Sequence, residues 1–141
     1  MRPPAPALLG MVALLGCGTA SPVDPPTLQL PFTSSPTAPV PINGSAGVKV
    51  GSEGYLAIGL LNVGNQPLVV QSVAYQGDPE ITLDPGLGAA LPATVEFNEV
   101  LPVELTCTPA AATTYAGTLT IVSNATSTPT AAVYLACAGT P

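Results

Sequence analysis

From Ile42 onward, large apolar residues recur at every second position, the spacing of strands that turn one face to a core and one to solvent. Leu56, Ile58 and Leu60 share one parity, Asn62 closes the row, and Gly64-Asn65-Gln66-Pro67 then predicts a turn. Leu68 and Val70 open the next strand, but Val73 and Tyr75 continue it on the other parity, so a bulge or bend is expected near Gln71-Ser72. Short strands are expected at Ile81 and Leu83 and at Val103, Leu105 and Cys107. After Pro109, a loop through Ala110 to Ala116 leads to Gly117 and a strand carrying Leu119 and Ile121, and the last strand carries Val133, Leu135 and Cys137. About seven short strands at regular spacing, with no internal repeat, predict an all-β sandwich.

Two segments precede this pattern. Between Gly18 and Pro41 the chain holds seven prolines (Pro22, Pro25, Pro26, Pro31, Pro36, Pro39 and Pro41) among serine, threonine and alanine. Proline fixes φ and withholds a donor, so residues 17–41 are expected as a solvated polyproline tether ahead of a domain at 42–141. At about 3.1 Å per residue, such a tether holds a domain on the order of 70 Å from an anchor. Residues 1–16 have the pattern of a secretory signal: Arg2, then an uncharged run from Ala5 to Gly16. That run is about 12 residues, whereas a membrane-spanning helix takes roughly 20. It ends at Leu14-Leu15-Gly16-Cys17, which resembles a bacterial lipobox and implies cleavage before Cys17 and acylation of that residue. Ordinary cleavage after Ala20, releasing a soluble secreted module, is the alternative, and it leaves the placement of Cys17 unexplained. Gly18 stands where many inner-membrane lipoproteins carry aspartate, so the resemblance implies the outer membrane, facing the periplasm or the surface.

Composition narrows the chemistry. The 141 residues include two basic and eight acidic side chains, for a net charge of −6, and neither histidine nor tryptophan. Without histidine there is no Ser-His-Asp or Cys-His relay and no imidazole metal ligand. With Arg2 and Lys49 as the only cations, nucleic acid is excluded as a partner. If Cys17 carries lipid, Cys107 and Cys137 remain, both on the inward parity of their strands, and an oxidising compartment favours a disulfide between them. Two separately buried thiols are the alternative. Two cysteines without histidine fall short of a zinc site. The carboxylates are Asp24, Glu53, Asp78, Glu80, Asp84, Glu96, Glu99 and Glu104. Asp78, Glu80 and Asp84 around one turn, joined by Glu96 and Glu99, offer oxygen ligands for calcium, but the EF-hand spacing is missing. A calcium-dependent carbohydrate binder or a small hydrolase is thus the rival to solvated loop charge. Asn43-Gly44-Ser45 and Asn124-Ala125-Thr126 match the glycosylation triplet, and they also mark turns.

Five phrases in order carry a family likeness. Gly47-Val48-Lys49-Val50-Gly51, Asn62-Val63-Gly64 with Pro67-Leu68, Cys107-Thr108-Pro109, Gly117-Thr118-Leu119-Thr120-Ile121 with Ser123-Asn124, and Val133 to Gly139 resemble the ASH (abnormal-spindle/Hydin) type of immunoglobulin-like domain, called choice-of-anchor D in bacteria. The likeness covers residues 42–141. Glu96-Phe97-Asn98-Glu99 departs from it, standing where family members have a turn with proline, glycine and serine. The resemblance implies an immunoglobulin-like sandwich of about seven strands related to pilus chaperones and major sperm protein. It brings no catalytic residue and no cofactor. Pilus chaperones grip a client's terminal carboxylate with basic residues, and this domain has only Lys49. The expectation is a non-enzymatic envelope lipoprotein, held at the membrane by its N-terminal lipid. Its module would serve adhesion, scaffolding or binding of a protein or polysaccharide.

Overall fold

Alternating side chains need two apolar faces to close a core, and the chain supplies them from two sheets. A computed structural model describes residues 22–141. The signal at 1–16 and the lipidation site Cys17 lie outside the described residues. The strands are β1 (Leu28–Gln29), β2 (Val40–Pro41), β3 (Val48–Lys49), β4 (Gly54–Asn62), β5 (Leu68–Gly77), β6 (Ile81–Leu83), β7 (Ala93–Val95), β8 (Val100–Cys107), β9 (Thr114–Ser123) and β10 (Thr130–Thr140), with a short helix α1 (Pro85–Ala90) between β6 and β7. One sheet has the order β1-β4-β8-β6, and the other β2-β10-β9-β5-β7 with β3 also on β10. Ile58, Leu60, Val103 and Leu105 from the first sheet meet Leu68, Val70, Leu119, Ile121, Val133 and Leu135 from the second in one buried cluster.

The long strands follow the alternation read from the sequence. In β4 the buried positions are Gly54, Ile58, Leu60 and Asn62, with Leu56 half-buried. The parity slip in β5 is a bulge: Val70 pairs with Ser123 but Ser72 with Val122, so the register shifts between them. Strand β9 starts earlier than expected, at Thr114 inside the segment read as a loop. Cys107 on β8 and Cys137 on β10 form a disulfide between the two sheets, with Cα atoms 6.5 Å apart.

The tether requires correction. Residues 22–41 are a strap built into the sandwich, and the domain begins well before residue 42. Strand β1 lies antiparallel to the end of β4, with Leu28 opposite Asn62 and Gln29 opposite Leu61. The chain then crosses to the other sheet, where β2 lies parallel to β10 with Val40 opposite Leu135. Leu28, Leu30 and Phe32 pack against the core between these two dockings. Their period-two spacing, interleaved with proline, places apolar side chains on one side, and burying them outweighs the polyproline preference of their neighbours. Two polar contacts fix the path: the Asn65 amide donates to the Pro22 carbonyl at 2.8 Å, and the Tyr134 N–H donates to Ser34 Oγ at 2.9 Å.

Asn62 is fully buried and joins the strap to the rest. Its Oδ1 accepts from the N–H groups of Thr27 at 3.3 Å and Gly64 at 3.0 Å, and its Nδ2 donates to the carbonyls of Gln66 at 2.8 Å and Val95 at 2.9 Å. Every hydrogen-bonding site of the amide is therefore used. Gly64 belongs to the same junction, because a Cβ there would strike the Pro25 carbonyl of the strap.

Two stability predictions follow from these ties. Asn62→Ala removes the partner of two donors and two acceptors, of which the Gly64 N–H and the Val95 carbonyl are buried, and is expected to cost about 3 kcal/mol in urea denaturation. Replacing both Cys107 and Cys137 by alanine opens a loop of sequence separation 30. The same measurement should show a loss of roughly 3–4 kcal/mol, with the wild type under reducing conditions showing a comparable loss.

Candidate functional site

The carboxylates expected to form an oxygen cage are spread over separate turns. Asp78 Oδ2 accepts from the Ala116 N–H at 2.7 Å, binding the β5–β6 turn to β9. Asp84 caps α1 by accepting from the Gly86 N–H at 3.1 Å, ahead of Pro85 in the first turn. Glu99 Oε2 accepts from the Glu96 N–H at 3.2 Å, closing the turn in which Asn98 has a positive φ of 61°. Glu53 accepts from the Tyr55 hydroxyl, and Glu104 stands on β8 opposite Ala57. Among the described residues, no three acidic or cysteine side chains come together as a metal site would require. Glu53 and Glu80 share an open depression of about 310 Å³ with Thr82, Thr106 and Thr108, and there the Thr82 and Thr106 hydroxyls hydrogen-bond at 2.6 Å.

Both glycosylation-like triplets are turn hardware. The Asn43 amide donates to the Gly47 carbonyl at 2.7 Å, and Asn43 itself is left-handed with φ 63°. Asn124 Oδ1 accepts from the Val69 N–H at 2.7 Å, and its amide donates to the Pro67 carbonyl at 3.3 Å.

The β5–β6 turn is also held by Tyr75, whose hydroxyl donates to the Asp78 carbonyl at 2.9 Å. Its ring lies over Gly117, where any Cβ would run into the phenol. Burial, followed by the charges of Asp78 and Glu80, pushes the Tyr75 phenol up to about 12. The exposed Tyr55 phenol is raised as well, first by its hydrogen bond to Glu53 and then by that carboxylate's charge.

A different feature lies where the strap leaves the first sheet for the second. Leu28, Leu30 and Phe32 face the start of β10 and the loop before it across a groove of about 430 Å³, bounded there by Thr128, Thr130 and Ala132. No carboxylate or amine lines it. Backbone groups of β10 alternate in direction. The Ala136 carbonyl accepts from Ile42 N–H at 2.8 Å, the Thr140 carbonyl accepts from Val50 N–H at 2.9 Å, and the Tyr134 N–H reaches Ser34, so the even-numbered residues face the strap side. Thr130 and Ala132 share that facing, but β2 pairs with β10 only from Leu135. Among the described residues, no hydrogen bond reaches the N–H or C=O groups of Thr130 and Ala132 on this edge. The sequence expectation missed this groove because it treated one wall as tether; the alternation of Leu28, Leu30 and Phe32 was the available signal.

No protein-family model matches the chain, and no curated protein matches it in sequence. Solved structures do match. A human CEP192 domain described as ASH/PapD-like is similar at TM-score 0.59 and 13% identity, over 92% of this chain and 95% of that one. A Porphyromonas gingivalis W83 protein of unknown function is similar at TM-score 0.59 and 15% identity over 87% of this chain, which spans 51% of that protein's length. The secreted serine protease VesC from Vibrio cholerae is similar at TM-score 0.53 and 12% identity, over 80% of this chain and 23% of that one. At such identities the likeness speaks to fold alone. The fold is an ASH-type, immunoglobulin-like β-sandwich.

The Tyr75 geometry carries a pH prediction. Because its folded value lies above the ordinary phenol value of 10.0, the stability it confers is complete below pH 10 and is lost as pH rises toward about 12. Thermal melts between pH 8 and 12 should show a steeper alkaline decline in the wild type than in Tyr75→Phe. At neutral pH the variant should be weaker by about 0.5–1.5 kcal/mol for the missing hydrogen bond.

Proposed function

We propose that the protein is a non-enzymatic lipoprotein of the bacterial cell envelope, displaying its immunoglobulin-like module for adhesion, scaffolding or binding of another macromolecule. The observation that carries the reading is Cys17, placed directly after the uncharged run Ala5–Gly16 and the Leu14-Leu15-Gly16 phrase. Gly18 after the cysteine favours the outer membrane. A binding role rather than a catalytic one is supported by the lack of histidine and by carboxylates that serve the turns they sit in. The strap alters the picture of display. Pro22 already contacts the domain through Asn65, so the chain from Cys17 to Pro22 spans at most about 18 Å at ~3.6 Å per residue. The module is thus held close to the bilayer instead of far from it.

Expression of the full chain and of Cys17→Ser in a bacterial host, followed by fractionation and intact-mass measurement, tests the anchor. The wild type is expected in the membrane fraction with an added acyl mass, and the variant in the soluble fraction without it. A variant that still partitions with membranes, alongside a wild type of unmodified mass, overturns the reading.

A further inference from the structure

We infer that the groove between the strap and β10 takes an extended, uncharged peptide strand from another polypeptide, which pairs with the open edge at Thr130 and Ala132 and packs side chains on Leu28, Leu30 and Phe32. This deepens the reading of the domain as a binding module by naming its partner's chemistry, and it stands apart from the lipid at Cys17.

The edge supplies the first argument. Further along β10, the strap-facing backbone groups are taken by β2 and by Ser34. At Thr130 and Ala132 the same row of donors and acceptors continues without a protein partner among the described residues. An added strand completes the row, the way open sheet edges recruit peptides.

Shape and charge supply the rest. At about 3.3 Å per residue, the interval from Thr130 to Tyr134 accommodates a strand of about three or four residues. Ala132 keeps the edge low, and the groove of about 430 Å³ is bounded on its far side by apolar strap residues. The lining holds no carboxylate or amine, so a charged side chain entering it would lose water without gaining a partner.

The test uses the full chain, ¹⁵N-labelled in detergent, with the capped pentapeptide acetyl-Val-Thr-Val-Thr-Val-amide as probe and a fully N-methylated copy as control. The expected result is a shift of the Thr130 and Ala132 amide signals with the probe, and binding at least about tenfold weaker for the N-methylated copy, which cannot donate to the edge. Ala132→Pro, a substitution that edge strands accommodate, should weaken the probe by a similar factor with its melting temperature retained. Should that variant fail to fold, the comparison of the two peptides on the wild type decides. Equal binding of both peptides, shifts confined to another face, or no shift at millimolar probe would overturn the proposal. None of these outcomes alters the result of the membrane fractionation, so the two readings fail separately.

Discussion

Four hydrogen bonds converge on the buried carboxamide of Asn62, and they join segments that share no hairpin: the strap at Thr27, the β4–β5 turn at Gly64 and Gln66, and β7 at Val95. Its backbone extends the junction, with the Asn62 N–H donating to the Glu99 carbonyl and its carbonyl accepting from the Asn98 N–H. A polar side chain at the end of an inward row is costly unless each of its groups is answered, so the segments that answer it are bound to fixed positions. The opposite end of β4 is fixed by different means. Gly54 pairs with Cys107 of β8, whose sulfur crosses to β10, so β4 carries a polar tie at one end and, about 26 Å away, lies beside the neighbouring strand's covalent one.

Much of this architecture is legible in the sequence because a sandwich core imposes period two on its long strands. Leu56 to Asn62, the slip at Gln71-Ser72, and the inward cysteines all declare themselves that way. What escapes is short or conditional. Strand β7 is three residues, and α1 carries two glycines between prolines, so neither has enough periodicity to stand out. The strap is harder, since its prolines are real and several are exposed while Leu28, Leu30 and Phe32 between them are packed. Whether such a segment is solvated or docked depends on a receiving surface that only the folded sandwich presents. The carboxylates show the converse case: their residue types are plain, but backbone N–H groups claim three of them, those of their own turns for Asp84 and Glu99 and that of Ala116 on β9 for Asp78.

Charge is distributed with a marked bias. The strands β2, β10, β9, β5 and β7 contain no carboxylate and no amine, Lys49 on β3 is the one charge of that sheet's strands, and the acids lie in loops, in the strap for Asp24 or, for Glu104, on the other sheet. Apart from Lys49, solubility along the larger sheet therefore rests on hydroxyls and amides such as Thr118, Thr120, Ser72 and Gln76. Such a surface exerts little long-range electrostatic pull, so any recognition there depends on close contact and backbone geometry. That is the setting in which the strap, the edge of β10 and the groove between them acquire their significance.

The strap has a mechanical side. It is the part of the described chain nearest the N-terminus, so a pull from that end enters the sandwich through β1 and β2. Strand β2 runs parallel to β10, and a tug directed back along it loads the paired hydrogen bonds together in shear, not one after another as in an unzipping hairpin. Ahead of β2 on the path of the load, the Asn62 and Ser34 contacts and the seated side chains of Leu28, Leu30 and Phe32 bear on the same line. Detachment under load is then governed by the rate at which this seam slips, a quantity distinct from the equilibrium stability of the core it covers.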